Sequence, residues 1–151
     1  MDTNDIVDTL NDLIETCKDG EYGFRTCAEH MRSVDTKQLF ERRAEECRGA
    51  AAELQSLVGD SGGSAEDSGS MAGAAHRGWV AVKATLAGYT DRAILEETER
   101  GEDTALERYR AALDKDLPPQ VRDVVLRQYE GVKRNHAQVR TLRNQSRMAS
   151  A

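Results

Sequence analysis

"ERGEDTALERY", Glu99 to Tyr109, has the composition of a helix interior. Yet it carries a Gly-Glu pair, Gly101-Glu102, on the side whose spacing points inward. The inward row runs Leu95, Thr98, Glu102, Ala105 or Leu106, and Tyr109, the three-and-four rhythm of an amphipathic helix. The pair recurs in "KDGEYGFR", where Gly20-Glu21 sits in the row Cys17, Glu21, Phe24, Ala28. Laying "CKDGEYGFRTC" over "TERGEDTALER" puts Gly20-Glu21 on Gly101-Glu102. In the same order, Leu39 over Leu126 sets Glu46 on Lys133 and Gly49 on His136. The echo reads as an internal duplication of a helical hairpin. A glycine before each glutamate lets a neighbouring helix approach closely, at roughly 1 kcal/mol of helix propensity.

Outward from this stretch, the pattern predicts four long helices. The first carries Ile6, Leu10, Leu13, Ile14, Cys17, Phe24, Ala28 and Met31, with Asp2 or Thr3 as N-cap. "DTKQ", Asp35 to Gln38, has capping-box spacing and predicts the start of the second. Its stripe is Leu39, Phe40, Arg43, Cys47, Ala50, Leu54 and Leu57. Residues 59–73 are Gly/Ser-rich and acidic, the composition of a flexible linker. A short helix is expected from about Ala74 to Leu86, anchored by Trp79, then a turn at Gly88 and an N-cap at Thr90 or Asp91. The third helix runs to about Lys115. Pro119 suits the first position of the fourth, whose inward row is Val121, Val125, Tyr129, Val132, His136, Val139 and Leu142.

Connection lengths set the topology. Helices one and two are joined tightly, as are three and four, while roughly thirty residues separate two from three, far more than a hairpin needs. One long crossover in a four-helix bundle is the ferritin-like connectivity. An up-down-up-down bundle with a disordered excursion stays open as the alternative. The expectation is one all-α domain over 1–151, with hairpins at 1–58 and 91–148 and the linker and crossover at 59–90.

Composition narrows the function. Of 151 residues, 32% are charged and 5% aromatic, and the formal net charge is −6, which argues against a general nucleic-acid binder. The N-terminus "MDTNDIVDTL" is acidic where a signal peptide is basic, and no apolar run approaches the roughly twenty residues of a membrane span, so a cytoplasmic protein without a membrane partner is expected. Cys17, Cys27 and Cys47 are odd in number and lack CxxC spacing, which reads as reduced, packed thiols. No Gly-rich phosphate loop, nucleophile elbow or zinc-type Cys/His cluster occurs. His30 and His76 fall on no ligand pattern and read as surface residues. The basic "VKRNHAQVRTLRNQSRM" reads as cations complementing a helix macrodipole, with a phosphate or acidic-partner patch as the sharper option.

The inward glutamates are the informative feature. Buried carboxylates need compensation, and a bundle core commonly supplies it with two metal ions held by a Glu from each of two helices and Glu-x-x-His from the other two. "DGE", "HRGW" and "ERGEDTALERYRAAL" resemble a bacterial ferritin-like group classed as a domain of unknown function and typified by a Pseudomonas protein. The resemblance covers nearly the whole chain and implies a ferritin-like four-helix bundle in a bacterial cytoplasm, without an established activity. Against the di-iron pattern, Gly49 stands where the first histidine belongs and Lys133 where the second glutamate does. Glu21, Glu46, Glu102 and His136 remain as metal-ligand candidates.

Two functions follow. The first is a non-catalytic bundle, stress-associated or assembly-forming, with a vestigial di-iron site and no cofactor. There a buried network of Glu21, Glu46, Glu102, Lys133, His136 and Arg43 replaces the metals. The second is an iron or manganese protein or oxidase using the four ligand candidates. An organic ligand in the core is a third reading. Association of copies through the bundle faces is the expected partnership.

Overall fold

The computed structural model describes residues 1–63, 86 and 88–149. They form four helices: α1 Thr3–His30, α2 Val34–Asp60, α3 Asp91–Leu113 and α4 Pro119–Ala149. Sequence chemistry sets most ends. Asp2 caps α1, accepting from the Asp5 amide at 2.8 Å. Thr90 caps α3 through the Ala93 amide, and Pro119 opens α4. The start of α2 differs from expectation. Its cap is Ser33, which accepts from the Thr36 amide, so the helix begins before the "DTKQ" box. At its other end α2 runs through Gly59 and Asp60, two residues into the expected linker. There Gly62 takes φ +83°, and the amides of Gly62 and Gly63 close on the carbonyls of Gly59 and Val58. This is a Schellman stop, which needs a left-handed residue at the Gly62 position. The expected short helix, Trp79, His76 and the body of the linker lie outside the described residues.

Cross-helix hydrogen bonds give the directions. On α1 and α3, Thr9 meets Lys115, Thr16 meets Arg108 and Cys27 meets Thr98, so the two run antiparallel. Likewise α2 and α4 are antiparallel, with Glu53 beside Arg127 and Arg43 beside Gln138. Both hairpins are antiparallel by construction, which leaves α2 and α3 parallel. The order is up-down-down-up, and an up-down-up-down bundle is excluded.

The chain must therefore pass from one end of the bundle to the other between α2 and α3, the ferritin-like crossover. The end of α2 lies by the start of α1, where a Cβ on Gly63 would meet Val7. The start of α3 lies at the opposite end, where the Asp91 carboxylate accepts from the Arg32 and Ser33 amides at 2.8 and 2.9 Å. That contact also satisfies two backbone donors in the turn between α1 and α2.

The core is split in two. One apolar cluster is built on Leu10, Leu13, Ile14, Leu54, Val58 and Val125. The other, at the α1–α2 turn end, is built on Phe24, Phe40, Leu86, Ile94, Leu95 and Val139. Between them the helices present glycines, cysteines, threonines and a glutamate. This middle layer holds the candidate site.

Candidate functional site

A cavity of about 740 Å³ opens between the two apolar clusters. All four helices line it. Its walls include Gly20, Gly23, Gly49, Gly101 and Gly131, together with Ala50 and Ala105. A Cβ on Gly49 or Gly101 would meet nothing within 4 Å. Gly20 differs, because its Cβ would lie 2.9 Å from the Cys47 sulfur. The two glycines of the Gly-Glu echo thus do different things. Gly20 admits a close helix approach, as its spacing suggests, whereas Gly101 is exposed and its Cβ would enter open space.

Glu102 lies in the cavity wall, 6% exposed, and its Oε1 has no hydrogen-bond partner among the described residues. Burial pushes its carboxyl up to about 8, partly offset by the Arg43 charge and reinforced by Asp103 and Glu99. The free carboxyl is therefore largely protonated at neutral pH.

The other expected site residues are dispersed. Glu21, half-buried, pairs with Arg25 at 3.1 Å, and Arg25 also reaches Glu45. The α1–α3 register brings Glu21 and Glu102 to the same level of the bundle. Glu46 lies at the outer rim of the cavity instead of the seam: its side chain is 57% exposed and pairs with Arg43 at 2.7 Å. Lys133 also lies on the surface, where it pairs with Glu130 and sits 4.7 Å over the Tyr129 ring. His136 is buried, but its Nε2 lies 2.6 Å from Asp103 Oδ1, on the outer side of α3. Arg43 is half-buried and spends its guanidinium on Glu46 and Gln138. The expected buried network of Glu21, Glu46, Glu102, Lys133, His136 and Arg43 is therefore corrected: Glu46 and Lys133 are outside it.

The physical reason is register. One residue along a helix turns a side chain by about 100°, and on α2 the position that meets Glu21 and Glu102 is Cys47. Burial raises the Cys47 thiol well above the thiol range, and Cys17 and the carboxyl groups of Glu102, Glu46 and Glu21 add to the rise. The same rotation undoes the expected alignment of the hairpins' second halves, since Leu39 is buried while Leu126 is 42% exposed.

Two features of the layer escaped sequence reasoning. The first is a polar chain across all four helices at one edge of the cavity. Tyr109 donates its hydroxyl proton to Gln128 Oε1 at 2.8 Å, and the Cys17 thiol, 3.2 Å away, donates to the tyrosine oxygen. Gln128 Nε2 then donates to Glu53 and to the Ala50 carbonyl. Gln128 is buried, whereas the expected inward row runs through Tyr129. The step of three from Val125, instead of four, would have found it. The second feature is Glu99, 8% exposed and held by Arg140 and Arg143 of the basic stretch. Those arginines are ion-pair partners in place, more than ornaments of the helix end.

A di-metal centre does not fit these residues. Of its expected ligands, Glu46 faces solvent, His136 is engaged by Asp103, and Glu21 is tied to Arg25. Among the described residues no group of three or more His, Cys, Asp or Glu is disposed to hold a metal ion. Nor are the thiols set for nucleophilic chemistry. Burial pushes Cys17 and Cys27 up to about 11, and a protonated thiol is a poor nucleophile. No described helix is long and apolar enough to cross a membrane.

Comparison with solved structures places the fold. A mutant of Mycobacterium smegmatis Dps1 is similar, with a TM-score of 0.78 over 93% of this chain and 96% of that one, at 15% sequence identity. At that identity the likeness speaks for the ferritin-like bundle alone. No curated protein matches the sequence. A family model does match, over residues 5–115, a range that takes in α1 to α3 with Glu21, Glu46 and Glu102 and ends before α4. The chain belongs to the family described as domain of unknown function DUF2383.

Proposed function

We propose that this protein is a non-catalytic binding bundle whose working site is the mid-bundle cavity, in the position of a vestigial metal centre. The observation that carries the reading is Glu102, a buried carboxyl with an unpartnered oxygen in the wall of a 740 Å³ cavity. Pockets of about 300–1,000 Å³ are the size that encloses a small organic molecule. Each helix glycine in the wall forgoes roughly 1 kcal/mol of propensity relative to alanine. Protonated thiols and divided carboxylates support binding over catalysis. An assembly or stress-associated role would then act through occupancy of this cavity.

The test combines a neutral apolar fluorophore, N-phenylnaphthylamine, with a cavity-filling variant. The dye should bind with a blue-shifted emission, and Ala105→Phe should abolish binding while leaving the helical circular dichroism unchanged. Ferrous iron added under oxygen should not be oxidised stoichiometrically by the protein. Dye binding equal in Ala105→Phe would overturn the cavity as the site. Stoichiometric iron oxidation that vanishes in Glu102→Ala would favour the metal reading.

A further inference from the structure

We propose that the cavity takes a small amine: an ammonium group on Glu102 with an apolar body along the cavity wall. The inference rests on the cavity being the binding site and adds the chemistry of what fills it.

The lining excludes one charge and invites the other. Among the described residues, six carboxyl side chains and two guanidinium groups line the cavity, Glu46 at its outer rim. Both guanidinium groups are already engaged. Arg127 is held by Glu53, and Arg108 donates to Thr16 Oγ1 at 3.1 Å with Asp19 at 4.0 Å. An anionic ligand would meet committed cations and a surplus of carboxylates. Glu102 Oε1, by contrast, is a buried acceptor that lacks a donor. Thr98 lies one turn earlier on the same face of α3. It donates its hydroxyl proton to the Ile94 carbonyl at 2.9 Å and lies 3.6 Å from the Cys27 sulfur, which leaves one lone pair of its oxygen to accept at the cavity wall. Two acceptors one helical turn apart suit an ammonium with three N–H donors. Phe24, Ala50, Ala105 and Val132 supply the apolar surface for a hydrocarbon body.

Charge coupling gives this pairing a recognisable signature. The free carboxyl holds its proton to about pH 8. An ammonium binds the carboxylate and so displaces that proton. The groups facing Glu102 are Arg43 and Cys47 from α2, Glu21 on α1 at the same level, and Glu99 and Asp103 from its own helix. His136 of α4 reaches it only through Asp103. Arg43 opposes the proton, and the carboxylates favour it.

The experiment is isothermal titration of the full chain with octylamine, octanol and octanoate at pH 9 and pH 7. At pH 9 octylamine should bind at least about tenfold more tightly than octanol, the scale of one charge-assisted hydrogen bond. Octanoate should not bind measurably. From pH 9 to pH 7 the octylamine affinity should fall about tenfold, because the carboxyl must first lose its proton, while octanol affinity stays level. Glu102→Gln should bring octylamine down to the octanol level at both pH values, and Thr98→Val should weaken octylamine alone. Octanol binding equal to octylamine at both pH values in the wild type would overturn the amine, while leaving the cavity as a site for neutral molecules. Octanoate binding most tightly would overturn it also. Failure of all three ligands, together with the neutral dye, would overturn the cavity itself.

Discussion

Replacing Glu102 by glutamine tests the physical account of the middle layer without any ligand. Glutamine keeps the shape and removes the titration. In the unfolded chain the Glu102 carboxyl titrates near its ordinary 4.5, and in the folded chain near 8. Between those values the folded state holds a proton that the unfolded state has released. Stability therefore falls as pH rises from about 4.5 and levels off above about 8. Integrated over the whole interval, the effect is on the order of 5 kcal/mol, and between pH 5 and pH 8 it is roughly 3 to 4 kcal/mol. The assay is urea unfolding of wild type and Glu102→Gln at several pH values across that interval. Other titrating groups are common to both proteins and cancel in the difference. The variant should gain on the wild type by roughly 3 to 4 kcal/mol between pH 5 and pH 8, whatever fixed offset its amide introduces. A difference that stays constant across the interval would refute the burial and proton affinity assigned to Glu102.

Two further contrasts follow from side chains whose placement departs from the sequence pattern. Lys133→Met should alter stability by no more than about 0.5 kcal/mol in urea unfolding, because Lys133 pairs with Glu130 in solvent. Arg140→Met together with Arg143→Met, which strands the buried Glu99, should lose about 3–5 kcal/mol, much of it recovered when Glu99→Gln is added. A large loss at Lys133 with none in the arginine variant would restore the charge network that the sequence pattern implies. Gly101→Ala should stabilise by up to about 1 kcal/mol, since its Cβ enters open space. Gly20→Ala should forfeit most of that gain because the Cys47 sulfur must move, and equal thermal shifts for the two variants would contradict the close approach at Gly20.

The bundle was legible because its evidence is periodic and long. Rows such as Ile6, Leu10, Leu13 and Ile14 repeat over several turns, so an error of one residue does not change the element. The crossover was legible for a different reason: roughly thirty residues between two tight hairpins can span a bundle, and a short loop cannot. The end of α2 was less legible. Gly59 and Asp60 have linker composition, yet the stop needs its left-handed glycine at Gly62, and that geometry is what closes the helix. Composition marks where a helix weakens, while the hydrogen bonds of the cap decide where it ends.

The site was less legible because it depends on single residues. The row of Glu102 marks it as inward, but the alignment of the two hairpins does not fix its partners, because one residue of rotation puts Cys47 in place of Glu46 at the seam. That substitution changes the chemistry of the layer. With Glu46 at the rim, Arg43 spends its guanidinium on Glu46 and Gln138, and with Lys133 outside as well, Glu102 Oε1 is left without a partner among the described residues. A buried carboxyl so placed has two ways to lower its energy, a proton or a bound cation. The proton suffices at neutral pH, and a leucine or glutamine would serve a purely structural role better, since neither carries the titration. A sequence that keeps both the carboxyl and the space around it forgoes stability at one level of the bundle, and binding is the use to which such a level is suited.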